Sequence, residues 1–262
     1  MSAPALRRLA VPADVSGRRI LASRDGLVVS LLFYLLVSGI LSALWRAAAG
    51  EHGDVAGYSA VALTWYVFTA EAATCAINVR LIEEVGDDIG SGSVAVEMLR
   101  PLPVVTVRLA AEVGRCTARL AVLLLPGATY AWIVVGPPPS TAGVVLALPA
   151  LVLAVATNLC LQHALAGAAF WLRETRAMWF LYQKLVFILG GMLLPLEVLP
   201  EVLREVAMAL PFMAMAYAPA RLASGHVEPW LLLVQAGWLV VLAAGAGAVF
   251  AAGQRRLQVV GG

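Results

Sequence analysis

Residues 26–45 read GLVVSLLFYLLVSGILSALW, twenty positions without a charge between Asp25 and Arg46. A helix needs about 20 largely apolar residues to cross a bilayer, and this run is of that length. It is too long for the apolar region of a cleavable signal, and no small-residue cleavage site follows it. It therefore reads as a retained first membrane span. Further apolar runs follow at roughly Gly57–Val79, Thr106–Val135, Gly143–Leu172, Ala177–Leu194 and Pro229–Gly253. The expectation is an all-α integral membrane protein with six transmembrane helices, forming a single transmembrane domain over residues 1–262.

Composition agrees with a lipid solvent. Hydrophobic residues are 61% of the 262 and charged residues 13%, where a soluble domain carries about 45–50% and about 25%. Mean hydropathy is +0.88. Cys75, Cys116 and Cys160 match no zinc or CxxC spacing and read as free thiols used as small apolar residues. His52, His163 and His226 fall in three separate regions. No metal or catalytic constellation is expected. The only lysine, Lys184, sits in LYQKLV with no glycine loop before it, so there is no P-loop. Any ATP-driven function needs another chain. Nothing points to nucleic acid.

Basic residues set the orientation, because loops on the cytoplasmic side carry the excess of Lys and Arg. Arg7, Arg8, Arg18, Arg19 and Arg24 precede the first span. Arg80, Arg100, Arg108, Arg115 and Arg119 follow the second. Arg173, Arg176 and Lys184 lie at the fourth-to-fifth link, and Arg255 and Arg256 follow the sixth. With both termini in the cytoplasm, only Arg46, Arg204 and Arg221 of the 18 basic residues face out. Residues 1–25 mix arginine pairs with Leu, Val and Ile, as an amphipathic helix at the cytoplasmic interface would; for residues 1–12 a disordered tail is the competing expectation.

Two connections are too long to be turns, residues 80–105 inside and 195–228 outside. The first reads RLIEEVGDDIGSGSVAVEMLRPLP over 80–103. It opens as an amphipathic turn with Glu83, Glu84, Asp87 and Asp88 interleaved with Leu81, Ile82, Val85 and Ile89. Gly90, Ser91, Gly92 and Ser93 allow a sharp change of direction, and a second short helix is expected over about Val94–Leu99. Arg108, Glu112, Arg115 and Arg119 then share one helical face, with Arg119 expected to snorkel to the interface. A solvated loop and a docking element for a cytosolic partner, with exposed aliphatics, are both open readings of 80–103. In the outer connection, Pro200 suits a helix start. Leu203, Val206, Ala207 and Leu210 make one face of that helix. Non-spanning structure so apolar belongs in protein or at the interface, so a pair of re-entrant or interfacial helices broken at Pro211 is expected.

Polar residues inside spans are functional candidates. Glu71 lies in span two, and Thr64, Glu71 and Asn78 are spaced by seven, which would place them on one face. Asn158 and Gln162 are spaced by four in span four, with His163 beside them; Ser38 and Ser42 are likewise spaced in span one. These faces would line a polar strip of a translocation path, with Glu71 favouring cationic or hydrogen-bonding amphiphiles. The competing reading is interhelical hydrogen bonding, worth about 0.6 kcal/mol per bond.

The six-span layout, the stretch IGSGSVAVEMLRPLP (Ile89–Pro103), and Gly191, Pro195, Pro200, Pro211, Phe212, Tyr217, Pro219 and Gly225 in the fifth-to-sixth region together resemble the membrane subunit of ABC-2-type transporters. The resemblance covers nearly the whole chain. It is closest to the bacterial subgroup of drug and viologen exporters, in which two different permeases share one ATPase type. The resemblance implies a permease that pairs with a second, identical or related permease in a bacterial inner membrane. Cytosolic ABC ATPase subunits, which hold ATP and Mg, would drive it, and the cargo would be a hydrophobic or amphiphilic small molecule. It also implies that 80–92 is the coupling helix, with Glu83, Glu84, Asp87, Asp88, Ile89, Gly90 and Gly92 meeting the ATPase. The N-terminal segment would be an elbow helix and Pro195–Gly225 the external re-entrant helices. A secondary transporter, which should show inverted repeats, and a non-transporting membrane assembly partner remain the alternatives.

Overall fold

A computed structural model describes residues 3–50, 53–97, 103–172 and 175–260. Helix α1 spans Ala3–Ala22 and α2 Arg24–Ala49. Two-residue strands β1 (Asp54–Val55) and β2 (Tyr58–Ser59) pair antiparallel around Ala56 and Gly57, both at positive φ. Then come α3 (Ala60–Cys75), α4 (Leu81–Gly90), α5 (Val94–Glu97), α6 (Val104–Val135) and α7 (Thr141–Ala166). The last are α8 (Arg176–Leu189), α9 (Glu201–Ala209), α10 (Tyr217–Ala223) and α11 (Trp230–Val260). Among the described residues all regular structure is helical apart from that small hairpin.

Among the described residues, four helical stretches are long and apolar enough to cross a membrane: Asp25–Ala49, Val104–Val135, Thr141–Phe170 and Trp230–Arg256. The other two expected spans are shorter than the apolar runs suggested. Helix α3 has 16 residues, about 24 Å at about 1.5 Å per residue, and ends at Cys75 rather than Val79. Asn78 is responsible for part of this: its Oδ1 accepts the Arg80 N–H at 3.1 Å, a local bond that competes with helix continuation. Helix α8 has 14 residues and stops at Gly190–Gly191, where Gly191 takes φ +69°, the left-handed conformation that glycine permits at a helix end.

Helix α3 is the hub. Twelve of its 16 residues are buried, and it packs against α2, α6 and α10. A helix apolar all round and buried all round is a core helix. Around it, α2, α6 and α11 leave aliphatics such as Leu32, Leu36, Leu125, Ile133, Val240 and Val241 exposed, which suits a lipid surround. Helix α1 begins at Ala3, so most of residues 1–12 is helix and not a disordered tail. It lies along α6 at very short range. A Cβ at Gly114 would come within 2.6 Å of Ala13 Cα, so glycine is what lets the two backbones meet.

The short elements mark two ends of the bundle. Helices α4 and α5 follow the C-terminus of α3. The hairpin, α9 and α10 gather near its N-terminus, where Tyr58 and Arg221 touch.

Candidate functional site

Helix α4 turns its whole apolar side inward: Leu81, Ile82, Val85, Gly86 and Ile89 are buried against α7 and the helical turn Gly167–Phe170. The exposed aliphatics expected of a docking helix are absent. Each buried aliphatic side chain contributes about 1.5–3 kcal/mol, whereas an exposed ion pair is worth about 0–1 kcal/mol. Packing, not charge, holds α4 in place.

The four acids divide into two pairs. Glu83 faces Arg80 at 3.5 Å and Arg176 at 3.8 Å, and Asp88 pairs with Arg108 at 2.8 Å. Arg108 also holds Glu97 through two bonds of 2.8 and 2.9 Å, which clamps α4, α5 and α6 together. Glu84 and Asp87 point outward; Glu84 accepts one bond from Asn78 Nδ2 at 2.8 Å, and Asp87 is in no ion pair among the described residues. Ile89 is buried, and Gly90 and Gly92 are exposed, with Gly92 at φ +76° making the turn. The segment before α4 is braced from two sides. Trp179 Nε1 donates to Val79 O, and Arg119 Nη1 to Ile77 O at 3.5 Å. Arg119 is thus turned toward the end of α3. Beside α4 lies a groove of about 720 Å³, walled by Arg80, Glu83, Asp87, Phe170, Trp171, Arg176 and Arg256.

The proposed polar strip divides. Thr64 shares a 2.9 Å hydroxyl contact with Ser42, and Ser38 and Ser42 are fully buried, so this part is a link between α2 and α3. Glu71 is only 2% exposed, with Cys75 Sγ at 3.9 Å and its Oε1 unpartnered among the described residues. Asn78 lies past the end of α3, so the seven-residue spacing does not put it on the Thr64–Glu71 face. Asn158 and Gln162 are together: Asn158 Oδ1 accepts Gln162 Nε2 at 2.7 Å and Tyr182 OH at 2.5 Å. They wall a cavity of about 330 Å³ with Thr74, Ile77, Val79, Lys184, Phe187 and Met192. His163 is fully buried, its Nδ1 2.9 Å from Leu159 O.

At the opposite end, α9 and α10 flank the break at Pro211 as expected. Most of α9 is exposed, including Leu203 and Val206 of its apolar face, and only Ala207 is buried; of the two expected placements, burial in protein and the interface, the exposed apolar face suits the interface. Pro200 precedes its first turn. Helix α10, with Tyr217 and Pro219, is almost wholly buried. Pro195 leads into the turn Leu196–Val198. Gly191 fits beneath Tyr66, whose OH donates to Gly191 O at 2.5 Å.

The organising residue here is Arg221, which the sequence marked only as one of three outward cations. Its guanidinium donates to Glu197 Oε1 at 2.6 Å, to Glu228 Oε1 at 2.7 Å and to Tyr58 OH at 2.5 Å. Tyr217 OH donates to Glu197 at 2.6 Å. The guanidinium also lies 5.6 Å from the Tyr58 ring centre and 5.9 Å from that of Tyr217. Burial alone would lower the pKa of Arg221, but the bond to Glu228 and the neighbouring tyrosines and Glu197 outweigh it and raise it. The His226 ring lies 4.6 Å from that of Tyr58, tilted by 47°, and burial, with the Arg221 charge, depresses its pKa. Four segments meet at this cluster: the β-hairpin, the turn after α8, α10, and the lead into α11. The seven-residue spacing of Arg221 and Glu228 was the one signal available in sequence.

Long apolar helices with lipid-ready faces, and short amphipathic helices at both ends, define a multi-pass membrane protein. The chain belongs to a family of exporter permeases: the family described as "ABC-2 family transporter protein" matches residues 34–261, from within α2 to beyond the end of α11. Helix α1 lies outside the match. Members of this family are membrane subunits that work with an ABC ATPase. No curated protein matches the chain.

Proposed function

We propose that this chain is the permease half of an ATP-driven exporter of a hydrophobic or amphiphilic small molecule, and that α4 is the element through which the ATPase acts. In this reading α2, α3, α6, α7, α8 and α11 are six crossings in a bacterial inner membrane, with both termini and α4 in the cytoplasm. Helix α1 is an elbow on the inner surface, and α9 and α10 form the external re-entrant region. A second permease, identical or related, completes the pathway, and ATP and Mg reside on the partner ATPase.

The carrying observation is the construction of α4. Its apolar side is buried on the bundle while Glu84 and Asp87 face away, next to the groove at the bundle end. A helix so attached moves its neighbours when pushed. Gly86 meets Thr175, which precedes α8, and Asp88 meets Arg108 of α6. Closure of the ATPase dimer would therefore reach α6 and α8 together, and α8 carries Tyr182, which holds Asn158 at the cavity wall.

The test is purification of the tagged full-length chain in mild detergent from its native host. A stoichiometric P-loop ATPase should accompany it, and Asp87→Lys combined with Glu84→Lys should strip the ATPase while the permease stays folded. A lone, stable chain that transports without an ATPase would refute the reading.

A further inference from the structure

The cavity between α3, α7 and α8 carries a charge sign that the intramembrane carboxylate does not. Glu71 is not among its walls, and no carboxylate is. The one charged wall is Lys184, the only lysine of the chain. Its ammonium lies 5.1 Å from the Phe180 ring centre and is in no ion pair among the described residues. A second wall residue, Gln162, is fully buried, and its Oε1 has no hydrogen-bond partner among the described residues. A buried acceptor left unpaired costs about 1–3 kcal/mol, which a ligand donor would relieve. Val186, Phe187 and Met192 supply the apolar part of the wall.

Resting on the exporter reading, we infer that this cavity selects amphiphiles with an anionic head and an adjacent hydrogen-bond donor. The head meets Lys184, the donor meets Gln162, and the apolar body lies on Phe187 and Met192. Ile77 and Val79, which lead into α4, also line the cavity, so it belongs to the α4 half of the bundle. A volume of about 330 Å³ is at the low end for small-molecule pockets. It takes a head and the start of a chain, and the rest extends along the exposed flank of α8, where Phe187 and Ile188 stand open. The same head chemistry is offered by an anionic membrane lipid and by an amphiphile arriving from water.

The test places the full-length chain in phosphatidylcholine nanodiscs and measures binding of N-dodecanoylglycine, which has a carboxylate and a neighbouring N–H, against its neutral amide. The acid should bind about tenfold tighter, the size of one charge-assisted hydrogen bond. Lys184→Gln should abolish the difference and Lys184→Arg should keep most of it. Lys184 is exposed, so neither change endangers folding. Gln162→Leu should weaken both ligands. Doping the discs with phosphatidylglycerol separates the sources: competition assigns the ligand to the bilayer, no competition assigns it to the aqueous phase, and either result upholds the site. Equal binding of acid and amide, or an unaltered preference in Lys184→Gln, would overturn the inference. No ATPase is present in this measurement. Charge-blind binding therefore leaves the exporter reading standing, and loss of the ATPase partner leaves the anion preference standing.

Discussion

The contact between Gly86 and Thr175 is where α4 is most sensitive to a single methyl group. A Cβ at Gly86 would lie 3.1 Å from Thr175 Cβ and 2.9 Å from its Cγ2, and closer still to Oγ1, against about 3.5–4.0 Å for carbon pairs at their optimum. Thr175 is 6% exposed and β-branched, so its rotamer choice is narrow. Gly86→Ala must therefore displace α4 or the start of α8. Overpacking of this kind costs about 1–3 kcal/mol, and the better helix propensity of alanine returns about 0.8–1 kcal/mol. A net loss of roughly 0–2 kcal/mol, centred on about 1, is expected by thermal unfolding in detergent. Transport-coupled ATP hydrolysis should fall further than stability does, since the displaced element is the proposed coupling helix. Thr175→Gly removes the clashing atoms, so the double variant should recover, with a coupling energy of about 1–2 kcal/mol. Gly90 is the control. It lies in the same helix, a Cβ there meets nothing within 4 Å, and Gly90→Ala should be neutral or stabilising. If Gly86→Ala behaves like Gly90→Ala, or if its effect is additive with Thr175→Gly, α4 is not seated on α8 as described.

Two further outcomes follow from the packing. Arg221→Met leaves Glu197 and Glu228 without their cation in a site where Arg221 is only 16% exposed; unfolding in detergent should show a loss of about 2–3 kcal/mol, part of which Glu197→Gln restores in the same background. Gly114→Val should lift α1 from α6, seen as faster thiol labelling of a cysteine placed at Ala13, while the fold of the remaining bundle persists.

The four spans whose helices run to 25 residues or more were legible because hydropathy reports composition over a window. Composition says nothing about where a backbone leaves the helix, so α3 and α8 were read too long. The local bond of Asn78 and the left-handed Gly191 end them, not a change of polarity. The acids of α4 were visible, but the arginines that neutralise two of them were not. Asp88 is 20 residues from Arg108, and Glu83 is far from Arg176 in sequence. Arg221 shows the same limit more strongly, since its partner Tyr58 is 163 positions away. Asn158 and Gln162 were found because a helix repeat brings them together within one element. Lys184 as their companion needed α8 to be laid against α7, and Glu71 drew attention by its cost in lipid although it is not among the walls of the cavity.

The shortness of α8 bears on where in a cell envelope such a protein is comfortable. Its 14 residues cover about 21 Å of a hydrocarbon layer about 30 Å thick, and Phe180, Leu181, Phe187 and Ile188 are exposed along it. From Gly190 to Pro195 the chain is not helical. Tyr66 takes up the Gly191 carbonyl and Trp45 Nε1 that of Leu193 at 3.0 Å, which lets irregular backbone persist at depth. In the proposed six-crossing arrangement, whatever part of the difference of about 9 Å this backbone does not cover falls on the lipids of that flank, at a cost of fractions of a kcal/mol per Å. A bilayer of shorter acyl chains removes that cost, so membrane thickness itself becomes a variable that shifts how tightly this flank is sealed.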